Sequence, residues 1–364
     1  MEIQQKNVVI ATTAAMVILT AFGLIMLRRR NKKIKSSTVV DGNTDKLKTL
    51  VLEDMKPPTE WKQVGQISGL RIYPLKSGRQ VNLTKADTTE FGLKEICRKG
   101  TLPLRDRVFV VYREENKKFV SGRDYSKMLK ITVNSMGNDS VEFSFDKERI
   151  IVKVPQDGEQ DNIDMRKENI RTIDCGDELS SWISKILLGK NEGLRVGYWP
   201  DVRRDVSQVY KDQLEVYKNM SNEFTGAYSD LSSFLIVNQS SVDDLNTKIG
   251  DVKNYVTVDN FRANIIVSGA PPYAEDEWKW IKIGDKAVFK PYKPCTRCVL
   301  TTINPETLEK SKNYEPVKTL KSYRQFTDKD QRRLEGESPV MGLYIGLYTK
   351  GLIKLGDPVF VGSS

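Results

Sequence analysis

The sequence predicts a mainly β protein with some helix, an α+β body, preceded by one transmembrane helix. Three observations carry this. Short runs rich in β-branched and aromatic residues, bounded by turn residues, recur from Trp61 onward. Only residues 177–189 and 241–249 read as helices within that body. Residues 8–27, VVIATTAAMVILTAFGLIML, carry no charge.

The apolar run is followed at once by RRRNKKIK. At about 1.5 Å per residue it is long enough to cross a ~30 Å hydrocarbon core. A cleaved signal peptide puts its charges before a shorter core and ends in a small-residue site. The order here is reversed, so an uncleaved anchor is expected. The positive-inside rule then places the body in the cytosol, on a single-pass anchor of residues 1–35. Residues 36–58 are polar and mixed and read as a linker.

The body divides near 190–205, giving units of 59–195 and 196–364. In the first, residues 66–75, 107–112, 118–121, 141–145 and 150–154 read as strands. The helix at 177–189 shows Leu179, Trp182, Ile183, Ile186 and Leu187 on one face. Asp177 is its expected N-cap and Gly189 its C-terminal stop. In the second unit, residues 234–237, 264–268, 279–289, 299–303 and 344–360 read as strands. Ser241 and Asp244 are spaced as a capping box for the helix between the first two. Many short strands with few helices point to antiparallel sheets or barrels.

Composition narrows the chemistry. The chain has 364 residues, 39% of them hydrophobic, and a net charge of +10. Lys6, Arg28, Arg29, Arg30, Lys32, Lys33 and Lys35 stand against Glu2, so residues 1–35 hold +6 and the body about +4. Basic charge beside an apolar run argues for a membrane and against nucleic acid. Histidine is absent from the sequence. That excludes a Ser-His-Asp triad, a Cys-His pair, an HExxH zinc site and His-ligated haem. Acid–base work falls to Asp, Glu, Lys, Tyr, Cys or water. Four scattered cysteines fit a reducing compartment, with Cys97 and Cys175 read as small buried residues.

The sharpest local signal is Cys295-Thr296-Arg297-Cys298, a CxxC preceded by Pro291 and Pro294. It admits half a zinc site, a redox dithiol, or one thiolate ligand to a metal cofactor beside an anion-binding Arg. The motif alone leaves all three open. No GxGxxG and no Walker A loop occurs.

A wider set of motifs bears on the choice. In chain order they are YPLKSG (73–78), LRDRVFVV (104–111), YSDLSSFLIV (228–237), NFRANIIVSG (260–269), PCTRCVLTTINPET (294–307), TLKSYRQ (319–325) and GDPV (356–359). Together with the basic-flanked anchor, this set resembles the mitochondrial amidoxime reducing component, a MOSC-domain molybdenum enzyme family. The resemblance covers nearly all of the chain from Trp61. It implies an N-terminal MOSC β-barrel-like domain and a C-terminal MOSC β-barrel domain. It also implies a molybdenum cofactor, a metal held by the dithiolene of a phosphorylated pterin, with Cys298 as catalytic residue and metal ligand. Lys76, Ser77, Arg107, Asp230, Ser232, Arg262, Asn264, Arg297 and Tyr344 are the implied cofactor-binding residues. Arg and Lys are the side chains suited to phosphate. The sequence departs from one member of that family at Gly78, where that member has a cysteine, and at Leu231, where it has a polar residue.

The implied activity is reduction of N-hydroxylated compounds, amidoximes and hydroxylamines, from N–OH to N–H plus water. The implied electron route runs from NADH through cytochrome b5 reductase and cytochrome b5, at the outer mitochondrial membrane. The alternative is a MOSC-type sulfur carrier with a persulfide on Cys298. No pyridoxal-phosphate domain is present to charge it, and none of that cofactor is expected to bind.

Overall fold

The computed structural model describes residues 55–363, apart from residues 98 and 208. The expected anchor at 8–27 and most of the linker at 36–58 lie outside the described residues. Among the described residues, no helix is long and apolar enough to cross a membrane. Lys56–Ser364 form one compact unit.

In chain order, the first half runs β1 (Lys62–Ile72), β2 (Val81–Leu83), β3 (Lys85–Thr89), β4 (Gly92–Glu95), β5 (Phe109–Arg113) and β6 (Phe119–Val120). There follow β7 (Thr132–Ser135), β8 (Ser140–Phe145), β9 (Glu148–Lys153), β10 (Gln160–Met165), β11 (Glu168–Asp174), α1 (Asp177–Leu188) and β12 (Leu194–Tyr198). The second half runs α2 (Lys211–Val216), β13 (Phe234–Asn238), α3 (Gln239–Ile249), α4 (Val258–Phe261), β14 (Ile265–Ser268), β15 (Trp280–Ile283) and β16 (Ala287–Thr296). It ends with α5 (Val317–Tyr323), α6 (Lys329–Glu335), β17 (Val340–Thr349), β18 (Leu352–Lys354) and β19 (Pro358–Gly362).

Seven strands close a barrel in the order β1-β14-β13-β17-β16-β15-β19, and β19 returns to β1. All pairs are antiparallel except β13 with β14. The parallel pair needs a crossover, and α3 and α4 supply it. Closure leaves none of the seven with a free edge. β13 is buried at every position because both its faces are covered. Phe234 and Ile236 pack in the main core with Phe289 and Ile345. Leu235 and Val237 pack on the other face with Val242 and Leu245 of α3 and Leu320 of α5. β1 and β2 join this sheet from the first half of the chain, and β18 pairs with β3, so the two halves interleave.

The second sheet, β10-β11-β12-β5-β6, nearly closes on itself through a bridge from Lys118 to Asp164. Helix α1 covers it with the expected face: Leu179, Trp182, Ile183, Ile186 and Leu187 are all buried. Gly189 caps it at φ +75°, a left-handed position that suits glycine. Its N-cap is Gly176, one residue before the expected Asp177, which instead donates its charge to the first turn.

Three sequence expectations are corrected. The α3 cap is Asn238, whose side chain accepts from Ser240 N; Ser241 lies inside the helix and donates to buried Glu275. Residues 299–302 form a 3₁₀ turn, not a strand. There the Thr301 and Thr302 hydroxyls donate back to the Cys298 and Val299 carbonyls, which competes with strand pairing. Cys97 and Cys175 are half-buried rather than buried.

Candidate functional site

The CxxC sits where β16 leaves the barrel. Pro291 and Pro294 lack an N–H, and the β16–β17 register slips beside each of them. The strand bulges there and turns its end away from the barrel wall. Across from it, Gly342 adopts φ +75° with no room for a side chain: a Cβ would lie 2.6 Å from the Ile236 carbonyl oxygen. Arg297 N donates to Pro339 O at 2.8 Å, which pins the exit. Cys295 points inward and is 2% exposed. Cys298 lies just past the strand end and is exposed.

A cleft opens in front of Cys298. It is lined by six cations, Lys76, Arg107, Arg123, Arg166, Arg262 and Arg297, against one carboxylate, Asp230. All nine implied cofactor-binding residues line it with Cys298. They come from six separate segments. Ser77, Arg107 and Arg262 have positive φ angles of 66°, 51° and 55°, and Arg166 has 60°. Non-glycine residues rarely sit there, and such residues concentrate at functional sites.

The cations differ in how far they are spoken for. Arg297 is a brace: Nε and Nη2 donate to Met341 O and Nη1 to Phe261 O. Arg107 Nη1 donates to Asp106 Oδ2 at 2.5 Å, and Nη2 to Arg262 O at 3.2 Å. Lys76 Nζ donates to Asp230 Oδ1 at 2.7 Å and Tyr228 O at 2.8 Å. Burial pushes the Lys76 pKa down, and Asp230 resists, leaving it at about 8. Burial also acts to raise Asp230, but Lys76 and Arg166 outweigh it and hold that carboxyl well below the usual range. Arg262 lies over the Tyr73 ring at 4.2 Å. Withdrawal of its guanidinium from water pushes its pKa down to about 10.

The Ser232 and Asn264 side chains both bond main-chain groups of the barrel. Ser232 Oγ donates to Phe234 O or Ile345 O and accepts from Phe234 N. Asn264 accepts from Leu235 N and donates to Arg71 O, tying three barrel strands together. Burial raises the Tyr344 hydroxyl well above its ordinary value. Gly78 is tight: a Cβ would stand 2.8 Å from Leu75 Cβ, so a side chain there would push the loop outward.

Among the described residues, three buried side-chain polar atoms lack a partner: Trp182 Nε1, Ser229 Oγ and Arg262 Nη2. Two of the three line this cleft. Buried orphan donors cost about 1–3 kcal/mol each, so their convergence on one cavity marks a place for a ligand. Excess cation selects an anion. No group of three His, Cys, Asp or Glu side chains suited to a metal occurs among the described residues. A metal that brings its own chelate needs one protein ligand, and the exposed Cys298 thiol is a soft one. The residues therefore fit a phosphorylated, metal-bearing cofactor.

Sequence reasoning missed Ser229, Arg166 and Arg123. Ser229 stands inside the quoted YSDLSS motif. Arg166 and Lys167 form the two-residue tip of the β10–β11 hairpin, at φ 60° and 73°. A basic pair where Asn-Gly is usual was the available signal. Arg123 follows Ser121, whose N–H and Oγ both donate to Asp124 Oδ2.

A barrel carrying a thiol at a strand exit and an anion cradle before it defines a class, the MOSC-domain proteins. The pattern described as MOSC N-terminal beta barrel domain matches residues 64–190, and that described as MOSC domain matches residues 224–360. The chain is 34% identical to "Mitochondrial amidoxime-reducing component 1" of Homo sapiens, over 82% of this chain and 84% of that protein. It is 31% identical to "Mitochondrial amidoxime reducing component 2" of Homo sapiens, over 82% and 84%. It is 30% identical to component 1 of Danio rerio, over 85% and 89%. The chain belongs to the mitochondrial amidoxime-reducing component family.

Proposed function

We propose that this chain is a molybdenum-cofactor-dependent reductase of N-hydroxylated compounds, amidoximes and hydroxylamines among them. Two electrons and two protons convert N–OH to N–H plus water. The observation that carries this is the meeting of two orphaned buried polar atoms, Arg262 Nη2 and Ser229 Oγ, with surplus cations before an exposed thiol. When bound, the cofactor supplies the two-electron chemistry at oxygen.

The chain's own residues hold and tune it. Arg262, Arg107, Lys76 and Ser229 would grip phosphate and pterin. Cys298 would be the one protein ligand to the metal. Asp230 keeps Lys76 in place and charged at neutral pH. Arg297, Ser232 and Asn264 hold the cradle walls rather than the ligand.

We further assign the electron route to NADH, cytochrome b5 reductase and cytochrome b5. Residues 8–27 would anchor the body on the cytosolic side of the outer mitochondrial membrane. The +6 charge of residues 1–35 supports that orientation.

The test is molybdenum content and amidoxime reduction of the full chain, made in a host that synthesises the cofactor, beside Cys298→Ser. Near-stoichiometric molybdenum in the wild type and lost reductase activity in the variant are expected. A folded wild-type protein without molybdenum, carrying cyanide-releasable sulfur on Cys298, would move the assignment to persulfide transfer.

A further inference from the structure

One outer wall of the barrel carries charge that the cleft does not use. Strands β15, β19 and β1 lie side by side there. Ile281, Ile283 and Val359 pack in the main core, so Trp280, Lys282 and Phe360 face outward between them. Lys282 and Phe360 are cross-strand partners. Lys282 Nζ lies 4.7 Å from the centre of the Phe360 ring and 5.3 Å from that of Trp61, just before β1. On the next strand, β16, Lys290 Nζ lies 4.4 Å from the centre of the Trp280 ring. Tyr348, 38% exposed, stands edge-on to Trp280 at 5.1 Å.

These lysines lack counter-charges of their own. Among the described residues, none of Lys279, Lys282 and Lys290 pairs with a carboxylate. Burial pushes the Lys290 pKa down, and the like charge of Lys279 adds to that. The carboxylates nearest in sequence, Glu60, Glu277 and Asp285, are exposed and pair with none of the three. Lysine stems laid along rings with their charges outward suit the headgroup layer of a bilayer, where Trp and Tyr settle and ammonium groups reach phosphate. The preceding chain joins the body at this same wall. Gly362 is the cross-strand partner of Trp280, and a Cβ there would stand 2.2 Å from Pro58 Cγ. Residues 28–55 alone separate the body from the apolar run at 8–27. Cys298 lies away from this wall, past the far end of β16, which runs from Lys290 toward it at about 3.3 Å per residue.

We infer that this wall of the body lies on the anionic lipid headgroups of the membrane that holds the anchor. Lys279, Lys282 and Lys290 meet phosphate, and Trp61, Tyr348 and Phe360 sit at the interface. The inference rests on the anchor assigned to residues 8–27. A tether keeps the body near the bilayer, so a weak surface contact is enough to orient it. Oriented in this way, the body holds its cleft off the lipid, at the other end of β16.

The experiment reconstitutes the full chain in two kinds of vesicle, phosphatidylcholine alone and an equal mixture with phosphatidylserine. Flotation reads attachment, and amine acylation followed by mass spectrometry reads each lysine. Lys279 and Lys282 should be protected on the anionic vesicles, while Lys312, exposed in the groove beside the cleft, should react equally on both. A positive charge at an anionic surface strengthens binding by about fivefold. Lys279→Glu, at an exposed position, reverses one charge, so it should weaken the contact by about 25-fold and abolish the protection of Lys282. High salt should do the same, and molybdenum content and reductase activity should not change. Equal reactivity of Lys279 and Lys282 on the two vesicles, in a chain that floats with both, overturns the lipid-facing wall and leaves the anchor standing. Flotation with the anionic vesicles alone overturns the anchor and keeps the wall, and flotation with neither overturns both.

Discussion

Lys76 shows how much of the site is decided by single residues. It is 5% exposed, held by Asp230, and titrates at about 8. An anion in the cradle therefore loses one attractive charge as pH rises through that value. Pyrophosphate, as a stand-in for the cofactor's phosphate, should bind the apo protein more weakly above pH 8. Lys76→Arg, which stays charged, should flatten that fall. A fall of equal size in the variant would remove Lys76 from the cradle. Stability moves the other way. The folded pKa of about 8 lies below the ordinary 10.5, so the unfolded chain binds more protons in that window. This group's contribution to stability thus rises with pH between the two values. At this scale the sequence was informative wherever a motif fixed the neighbours, as at Lys76, Arg107 and Arg262. It was silent on which cations were free. Arg297 has the right residue type and place, yet its donors are taken by carbonyls that only the fold brings near.

At the scale of elements, the β10–β11 hairpin does two things at once. Its tip carries Arg166 into the cleft, 3.4 Å from Asp230. Two residues on, Glu168 meets Arg204 through a two-armed pair, Nε at 3.0 Å and Nη2 at 2.6 Å. Arg204 in turn donates to the carbonyls of Ser229 and Asp230. The pair is 4% exposed at each residue and shapes the loop that presents Ser229 and Asp230. Removing one member of a buried pair costs about 3–5 kcal/mol. Glu168→Ala should lower the melting temperature and reduce molybdenum occupancy together. Full occupancy in a destabilised variant would confine the pair to a packing role. None of this was legible in the sequence, because Glu168 and Arg204 lie in different segments and neither stands in a motif. The strand at 299–303 failed for a related reason. Its β-branched composition suits a strand, but Thr301 and Thr302 spend their hydroxyls on a tight turn.

For the whole molecule, charge and topology set the terms. The body carries about +4 once residues 1–35 are set apart. If an acidic haem protein delivers the electrons, its docking is steered by that modest charge and screened within about 10 Å at 0.1 M salt. Turnover with cytochrome b5 should fall steadily as salt rises, while turnover with a small artificial reductant should not. Indifference to salt with the natural donor would remove electrostatic docking. The mainly β character of the fold was readable from the strand pattern, which left sheets and barrels both open; the barrel came from the family resemblance. The interleaving of its halves was not readable, since pairing between β1 and β14 or β18 and β3 leaves no local mark.

β19 is the seventh barrel strand in chain order, and it fills the gap between β15 and β1. On the ribosome, everything that lines the cradle is therefore translated before the wall behind it can be completed. β1 pairs earlier with β2 and β14, but its barrel neighbour on the other edge comes nearly 300 residues later (Lys62 pairs with Val361). Until then the seam is open and the hydrophobic interior is accessible. If a cofactor loads there, topology bears on when it can. A nascent chain stalled before residue 358 should hold every cradle-lining residue but lack the strand that closes the barrel behind them.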